Sequence, residues 1–365
     1  MMSIREGILL APRTTLGVGG PARHFVEATT EAEVIEALAF ARARGLETLV
    51  LGGGSNLLVA DRGFDGLVLC PRVRGLDIED RHDVVEIDAG AGEPWDEFVA
   101  HAVSRGWAGI ECLSGIPGDV GATPIQNVGA YGQDVSETIV RVRVIERSTG
   151  ASVELDRSRC GFGYRDSIFK REDANRFVIT RVRFALRPGG APSVKYAELE
   201  KKLAGRPSPT LAEVRETVIA LRRSKSMVLD PSDENGKSAG SFFTNPTLDI
   251  DSAGEVERRV VAAGVLAPGE AMPKYAAEGG QVKLSAAWLI ERAGFKKGTH
   301  EGPVGISTKH SLALVNRGGA RASDIVSFAR RVRDGVREKF GVTLVPEPVM
   351  VGFTREELGG LSGEG

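Results

Sequence analysis

The chain has 365 residues, of which 42% are hydrophobic and 26% are charged, so it is long enough for two or three domains with buried cores. Its net charge of -2 gives no electrostatic basis for binding nucleic acid or an acidic membrane. Charges interrupt every apolar run well before the ~18 residues that a membrane-spanning helix needs, and the first residues carry no secretory signal.

The N-terminal half alternates strand patterns with glycine-rich turns and shows only two helical patterns. The first helix begins with a capping box at Thr30 and Glu33, and the second is predicted over residues 95–105. Strands are predicted over residues 47–51, 66–70, 84–89, 139–146 and 177–186. Short strands with so few helices predict an α+β fold rather than a regular series of βαβ units.

The composition changes near residues 187–192, whose two prolines and two glycines predict a linker. Beyond it, helical patterns occur at residues 210–225, 285–293 and 323–340. We therefore predict a second, more helical domain over residues 207–345. Residues 356–365 are rich in Gly, Glu and Ser, which predicts a flexible tail.

Two glycine-rich segments are candidates for a ligand-binding site. The motif Gly-Gly-Gly-Ser-Asn at residues 52–56 follows a predicted strand, and its backbone N–H groups can cradle a pyrophosphate, although a tight turn explains this motif equally well. The run at residues 114–132 contains too many glycines for a helix or strand, and such long loops usually bind something. Gln126 and Asn127 offer amides to a heteroaromatic ring. Together the segments predict one extended ligand with phosphates and a ring system.

Three further motifs carry candidate reactive side chains. Ser241 lies between Gly240 and Pro246, in a segment that presents the hydroxyl rather than packing it. Arg165 belongs to the motif Tyr-Arg-Asp-Ser, and Glu347 ends the motif Leu-Val-Pro-Glu. A hydroxyl acid, a fixed cation and a carboxyl group are what a site needs to manage an enolate. Taken singly, each has an ordinary explanation: a loop hydroxyl, a surface ion pair and a solvated carboxylate.

Metal and disulfide chemistry find no support in the sequence. The histidines form no ligand pattern with one another or with carboxylates, so no metal site is predicted; they are His24, His82, His101, His300 and His310. Cys70, Cys112 and Cys160 are widely spaced, which is typical of a reducing compartment, so we expect a cytoplasmic protein.

The five motifs, at residues 52–56, 116–132, 164–167, 240–246 and 346–347, occur in the order found in a known family. The chain resembles the UDP-N-acetylenolpyruvoylglucosamine reductases (MurB), flavoenzymes of peptidoglycan precursor synthesis, over residues 16–352. The segments at Tyr164 and Tyr196 resemble the longer subclass, in which a tyrosine loop closes over the substrate. The chain departs from the family pattern at Thr14, usually Asn, and at Pro348, usually aliphatic.

This resemblance implies a fold and a reaction. The fold would be an FAD-binding domain of the PCMH type, similar to vanillyl-alcohol oxidase, over residues 16–188, with a smaller α+β substrate-binding domain after it. The reaction would be NADPH-dependent reduction of UDP-N-acetyl-3-O-(1-carboxyvinyl)-glucosamine to UDP-N-acetylmuramate, with noncovalent FAD. Arg165 and Glu347 would stabilise charge that develops on the substrate carboxylate, and Ser241 would protonate the adjacent carbon. A bidentate guanidinium and a hydroxyl at contact distance are chemically suited to these roles.

The resemblance also implies binding residues. Arg222 and Lys225 end a helical pattern, where cations also suit the helix dipole without any ligand. The implied substrate-binding residues are Tyr164, Tyr196, Lys225, Asn245 and Gln281. The implied cofactor-binding residues are Gly52, Gly53, Gly54, Ser55, Asn56, Leu57, Ser114, Pro117, Gly118, Gly121, Ala122, Gln126, Asn127, Gly129, Ala130, Tyr131, Val178 and Arg222.

Two alternative functions remain open at this point. A PCMH-type oxidase would pass its electrons to oxygen, but Ser241, Arg165 and Glu347 have no shared purpose in an alcohol oxidation. A flavin-binding sensor or scaffold would not need the three reactive side chains. We expect a small UDP-sugar as the partner, and no nucleic acid, membrane or obligatory protein partner.

Overall fold

The computed structural model describes residues 2–206 and 208–361. The helices are α1 (Glu31–Ala43), α2 (Trp95–Ser104), α3 (Ala197–Leu203), α4 (Leu211–Ser224), α5 (Ile250–Ala262), α6 (Ala286–Ala293), α7 (Ala322–Phe340) and α8 (Arg355–Leu358). The strands are β1 (Arg5–Leu9), β2 (Pro21–Ala28), β3 (Thr48–Val50), β4 (Leu57–Val59), β5 (Phe64–Pro71), β6 (Leu76–Asp80), β7 (Val85–Gly90), β8 (Trp107–Ala108), β9 (Gly129–Ala130), β10 (Gln133–Asp134), β11 (Ile139–Glu146), β12 (Ser152–Asp156), β13 (Phe177–Pro188), β14 (Thr247–Leu248), β15 (Lys274–Ala276), β16 (Val282–Leu284), β17 (His300–Glu301), β18 (Val304–Ile306), β19 (Leu314–Asn316) and β20 (Val349–Val351).

The chain divides into two compact units, each of which is built from three separate segments of the chain. The first unit comprises Met1–Ile8, Ala22–Gly54 and Asp65–Leu229, and the second comprises Leu9–Pro21, Ser55–Phe64 and Asp230–Gly365. The main boundary therefore lies after residue 229, and not between the predicted domains 16–188 and 207–345. The reason is that α3 and α4 pack on the first unit: Val214 and Val218 of α4 share a buried cluster with Leu199 of α3 and with Cys112.

Two sheets support the first unit. The larger has the order β12-β11-β13-β7-β6, with β8 also paired to β13, and its named pairs are antiparallel. Strand β11 alternates Val142 and Val144 on the buried face with Arg141 and Arg143 on the other, as its sequence pattern predicts. Helix α2 covers the buried face, where Trp95 packs in the core.

The smaller sheet of the first unit has the order β1-β2-β5-β3, with β3 parallel to β5. Helix α1 packs on it through Val34, Ala37 and Leu38. The side chain of Thr30 caps this helix by accepting a hydrogen bond from the Glu33 N–H. The Glu33 carboxylate accepts from the Thr29 N–H and not from Thr30, so only half of the predicted capping box forms.

The second unit packs short sheets against α5, α6 and α7. Its sheets have the orders β14-β16-β15, β17-β18-β19 and β20-β4, the last pair being parallel. The N-terminal segments belong here because β4 pairs with β20 and because Leu16 and Val18 lie in the same core as Phe242. Helix α5, which the sequence analysis does not predict, begins at the side-chain cap Asp249.

The prediction of a flexible tail over residues 356–365 is wrong for its described part. Helix α8 ends at Leu358, and Leu361 is 1% exposed in the core of the second unit. These two apolar side chains outweigh the polar composition of the segment, because burying each one is favourable. Residues 362–365 lie outside the described residues.

Candidate functional site

The two glycine-rich segments of the first unit lie directly against each other. A Cβ atom on Gly53 would lie 2.7 Å from the Cα atom of Gly118, and one on Gly121 would lie 2.5 Å from the Cβ atom of Ala91. No other residue permits these approaches without a shift of the backbone. The segments predicted separately from sequence therefore form one surface that is rich in exposed backbone.

Bonds within the first unit hold the second glycine-rich segment in place. The Trp95 N–H donates to the Gly118 carbonyl at 2.9 Å, and the Arg72 guanidinium lies 2.6 Å from the Asp119 carboxylate. Burial raises the pKa of Asp119 even though Arg72 opposes the shift. The Ser114 hydroxyl is fully buried and donates to the Glu111 carbonyl at 2.6 Å, which shapes the loop; its contact with a cofactor stays a prediction.

Several residues in these loops have a left-handed backbone that is unusual for residues other than glycine. They are Asn127, Tyr131, Arg165 and Ser226, with φ between 45° and 56°. Such conformations cost about 1–3 kcal/mol each and persist only where the surroundings enforce them, which is common at functional sites. All four lie within or directly beside the segments that the sequence analysis selects.

The Tyr-Arg-Asp-Ser segment is attached to the second glycine-rich loop. The Arg165 Nη2 donates to the Gly129 carbonyl at 2.6 Å, and the Ser167 hydroxyl donates to the Ile125 carbonyl at 2.6 Å. Asp166, the residue after Arg165, forms an ion pair with Arg171. The guanidinium of Arg165 is thereby fixed beside residues 125–129.

The Asn127 amide takes part in the same attachment. Its Nδ2 donates to the Gly163 carbonyl at 3.0 Å, and its Oδ1 accepts from the Ser136 N–H at 3.1 Å. These bonds position the loop, and the contact of this amide with a ring stays a prediction.

Arg222 is a buried cation with an unsatisfied donor. It is 9% exposed, its Nη2 donates to the Met227 carbonyl at 2.7 Å, and its Nε has no hydrogen-bond partner among the described residues. Burial lowers its pKa, and a Cβ atom on Gly115 would lie 3.5 Å from its Nε. A buried donor that makes no hydrogen bond is costly, so an anionic ligand beside this loop would satisfy the Nε–H group.

Tyr131, Tyr196 and Lys225 form a cluster in the first unit, together with Glu198. The two tyrosine rings meet edge to face with centroids 5.4 Å apart, and the Lys225 ammonium lies 5.9 Å from the Tyr131 centroid. Lys225 is 2.6 Å from Glu198. Burial raises the pKa of Tyr131 to about 12. Tyr196 is 46% exposed, so it precedes α3 without being packed into a core.

Ser55, Asn56 and Leu57 of the first motif belong to the second unit. The Asn56 Nδ2 donates to the Glu347 carbonyl at 3.3 Å, and the Asn56 carbonyl accepts from the Val349 N–H at 2.9 Å. Leu57 begins β4, and the Ser55 carbonyl accepts from the Thr15 hydroxyl at 3.3 Å. This part of the motif therefore supports the segment that carries Glu347.

Ser241 and Glu347 lie on two extended segments that pair with each other. The Glu347 N–H donates to the Phe242 carbonyl at 2.9 Å, and the Thr244 N–H donates to the Val345 carbonyl at 3.0 Å. Gly240 precedes Ser241 with φ of 73°, a conformation that glycine adopts at little cost. Backbone pairing thus joins the two segments of the second unit that carry the predicted reactive residues.

The sequence analysis misses one residue at this place, His310. Its Nε2 lies 3.3 Å from the Ser241 Oγ. The two residues are 69 positions apart, and no motif or spacing in the sequence connects them. Only the pairing of their segments, in which the Phe242 N–H donates to the Leu312 carbonyl at 2.7 Å, could reveal the contact.

The other residues that the sequence analysis predicts for the site lie at the following places in the fold. The Asn245 Oδ1 accepts from the Ala286 N–H at 3.0 Å and so supports the start of α6, while Gln281 is exposed where β16 begins. Val178 is 1% exposed in the core under α1. Among the glycine-rich residues, Pro117 and Gln126 are partly exposed, Ala122 ends a 3-10 turn, and Ala130 and Tyr131 follow Gly129 along the hairpin of β9 and β10.

Metal sites and membrane spans were sought in the part of the chain that the structure describes. No group of three or more His, Cys, Asp or Glu residues there is placed to hold a metal ion. None of the helices at residues 2–206 and 208–361 is long and apolar enough to cross a membrane. Cys70, Cys112 and Cys160 are buried, and none of them forms a disulfide within the described residues.

Comparison with known proteins first defines the class. Residues 22–156 match the family model described as FAD binding domain, and residues 230–351 match the model described as UDP-N-acetylenolpyruvoylglucosamine reductase, C-terminal domain. The chain is therefore an FAD-binding flavoprotein, with the PCMH-type fold that the sequence resemblance implies. The second model begins at the residue where the main boundary between the two units lies.

Full-length relatives then define the family. The UDP-N-acetylenolpyruvoylglucosamine reductase of Thermobifida fusca is 51% identical over 96% of this chain and 99% of its own length, and that of Streptomyces coelicolor is 50% identical over 94% and 89%. The crystal structure of the enzyme from Thermus caldophilus matches with a TM-score of 0.64 at 28% identity, covering 96% of this chain and 100% of that one. The chain belongs to the UDP-N-acetylenolpyruvoylglucosamine reductase family, as the sequence resemblance implies.

Proposed function

We propose that this protein reduces the enolpyruvyl group of UDP-N-acetyl-3-O-(1-carboxyvinyl)-glucosamine to give UDP-N-acetylmuramate in peptidoglycan precursor synthesis, with NADPH as the reductant. The observation that carries the proposal is the pairing of the Ser241 and Glu347 segments, in which the Glu347 N–H donates to the Phe242 carbonyl. That pairing joins the backbone segments that carry Ser241 and Glu347, in a chain that belongs to the reductase family.

The residues of the first unit fit an FAD cofactor. Gly53 and Gly118 lie too close together for a side chain at Gly53, and consecutive glycines of this kind would let backbone N–H groups approach a pyrophosphate. The unpartnered Nε of the buried Arg222 suits an anionic ligand. When bound, FAD would supply the hydride for the reduction.

Three side chains would manage charge and protons on the substrate. Arg165, fixed by the Gly129 carbonyl, would offer its planar fork to the substrate carboxylate as negative charge develops there. Glu347 would stabilise the same charge through a hydrogen bond, which it can donate only in its protonated form. The Ser241 hydroxyl would give its proton to the adjacent carbon.

The substrate diphosphate would be bound through the tyrosine and lysine cluster. Lys225 would act as a phosphate-binding charge, and Tyr196 would place its ring and hydroxyl over the nucleotide. Tyr164, which is 62% exposed beside Arg165, is available to the substrate. Asn245 and Gln281 remain proposed contacts from the family resemblance alone, and the cytoplasmic location stays a prediction.

The proposal is tested by separating the two half-reactions under anaerobic conditions. NADPH should bleach the yellow protein, and addition of the enolpyruvyl substrate should restore the colour and yield UDP-N-acetylmuramate. Bleached protein that ignores the substrate, and that is reoxidised only by oxygen with one equivalent of peroxide, would show an oxidase instead.

The role of Ser241 has its own test in the same experiment. Ser241→Ala should slow reoxidation by the substrate by about 10²–10⁴-fold and leave the bleaching by NADPH unchanged, because the proton is needed only after the hydride arrives. Ser241→Cys should recover part of the rate, since a thiol also donates a proton. Thr244→Ala, which removes a neighbouring hydroxyl bonded to the Val345 carbonyl, is the matched control.

A further inference from the structure

The contact between Ser241 and His310 is not explained by the roles given so far. The proposed function uses the Ser241 hydroxyl as an acid, and the Nε2 of His310 lies 3.3 Å from that oxygen. This Nε2–Oγ distance is slightly longer than a typical hydrogen bond, which is common for catalytic groups before the substrate is bound.

The fold holds His310 firmly in this place. The hydroxyl oxygen of Ser307, which is fully buried, accepts from the backbone N–H groups of Lys309 at 3.1 Å and of His310 at 3.2 Å. The carbonyl of His310 accepts from the Ala313 N–H at 3.1 Å. These bonds close a tight turn between β18 and β19, so the imidazole has a defined backbone origin.

The same turn is bonded to the segment that carries the serine. The Phe242 N–H donates to the Leu312 carbonyl at 2.7 Å, which fixes the residue after Ser241 against the residue two positions after His310. The turn and the serine segment therefore move together, and the imidazole stays opposite the hydroxyl.

We infer that His310 is a positioning residue that orients the Ser241 hydroxyl and returns to it the proton that it gives to the substrate. This inference rests on the proposed function. A serine that gives up its proton becomes an alkoxide, which is a far stronger base than any neighbouring group, so a nearby proton donor lowers the cost of the step. Imidazole is the side chain that exchanges protons with water near neutral pH.

The proton balance is closed by the solvent. The O–H bond of Ser241 breaks as the substrate carbon forms its new C–H bond, and the electron pair stays on Oγ. The Nε2–H of the His310 imidazolium then gives its proton to Oγ, which restores the hydroxyl. The neutral imidazole takes up one proton from solvent, so the net result is one solvent proton on the carbon.

The first test measures both half-reactions in holoenzyme variants. His310→Ala removes the imidazole, and His310→Gln keeps an amide that can hydrogen-bond to the serine but cannot relay a proton. Both should slow reoxidation of the reduced protein by the enolpyruvyl substrate by about 10²-fold, with bleaching by NADPH unchanged within about twofold. His300→Ala, which alters an exposed histidine of the same unit, should match the wild type in both.

Rescue separates proton return from structure. Added imidazole should speed reoxidation of His310→Ala at least several-fold, and should not speed His310→Gln, whose side chain fills the space, or Ser241→Ala, which lacks the oxygen to be reprotonated. If His310→Gln reoxidises as fast as the wild type, a hydrogen bond is sufficient and the relay is wrong.

A measurement that does not depend on activity completes the test. In the oxidised holoenzyme, the ¹⁵N NMR signal of the His310 Nε2 should shift in Ser241→Ala, while the signal of His300 should not. An unchanged signal would overturn the contact itself. If the wild type reacts with the substrate and the His310 variants equal it, only the relay fails; if the wild type does not react, the proposed function fails, and the relay with it.

Discussion

The ion pair between Lys225 and Glu198 offers a quantitative test of the proposed substrate site. Glu198 lies on α3, in the segment that follows Tyr196, and its carboxylate is 2.6 Å from the Lys225 ammonium. If Lys225 binds the substrate diphosphate, the ligand must compete with this carboxylate. Glu198→Gln removes the competing charge and keeps the size of the side chain, so it should tighten binding of the UDP-sugar.

The structure sets the size of this effect. The side chains of Lys225 and Glu198 are 29% and 39% exposed, so the pair is partly solvated and has the strength of a surface pair, about 0.2–1 kcal/mol. Removing that competition should lower the Kd of the nucleotide sugar by about 1.4–5-fold. A larger gain would require a buried pair, which these exposures exclude.

The assay is calorimetric titration of the holoenzyme with UDP-N-acetylmuramate. Glu200→Gln changes an exposed carboxylate of the same helix and should leave the Kd unchanged, which controls for net charge. In a Lys225→Met background, Glu198→Gln should have no effect, because the shared partner is gone. Weaker binding in the single Glu198→Gln variant would refute the reasoning and show that Glu198 holds Lys225 in its binding position.

Three further outcomes are expected. Acid denaturation should release all the flavin into the supernatant, since the two glycine-rich segments offer no His or Cys for covalent attachment; colour that stays with the precipitate would contradict this. Tyr196→Phe should weaken substrate binding by about 0.5–1.5 kcal/mol and leave NADPH oxidation unchanged. Hydrogen exchange at residues 187–197 should slow when the UDP-sugar is added. Protection that is already present without ligand would mean that this segment is rigid and does not close over the substrate. Bonds from the Ala267 N–H, the Trp288 indole and Arg292 lower the pKa of Glu270 to about 2, so its contribution to stability is present above its ordinary pKa of about 4.5 and is lost as pH falls from there to 2. Glu270→Gln should therefore lower the Tm at neutral pH, and the difference from the wild type should vanish near pH 2; a difference independent of pH would indicate packing instead.

Local patterns in the sequence determined the elements and the family. The Thr30 cap of α1 and the alternation in β11 depend on neighbouring residues alone, and both occur as predicted, although the Glu33 half of the predicted capping box does not. The glycine-rich motifs could also be recognised from the sequence, because a residue without a Cβ atom is required where Gly53 approaches Gly118. Such features are encoded over a few positions, so a single sequence is enough to find them.

Only the tertiary structure decided how distant segments are combined. Helix α4 belongs to the first unit, and residues 9–21 and 55–64 belong to the second. Each apolar face could pack against several others, and the sequence pattern of one face does not say which of them it meets. Residues 356–361, the described part of the predicted tail, were mispredicted for the same reason, since Leu358 and Leu361 are two apolar residues in a polar segment.

The candidate site shows the same division. Ser241, Arg165 and Glu347 each stand in a motif with its own signal, whereas His310 has none and meets Ser241 only through the pairing of segments 69 residues apart. The contact of Glu198 with Lys225 also depends on how α3 packs on α4. A motif identifies the residues that a reaction needs. Which other residues surround them is determined by long-range packing, and no short sequence pattern specifies that packing.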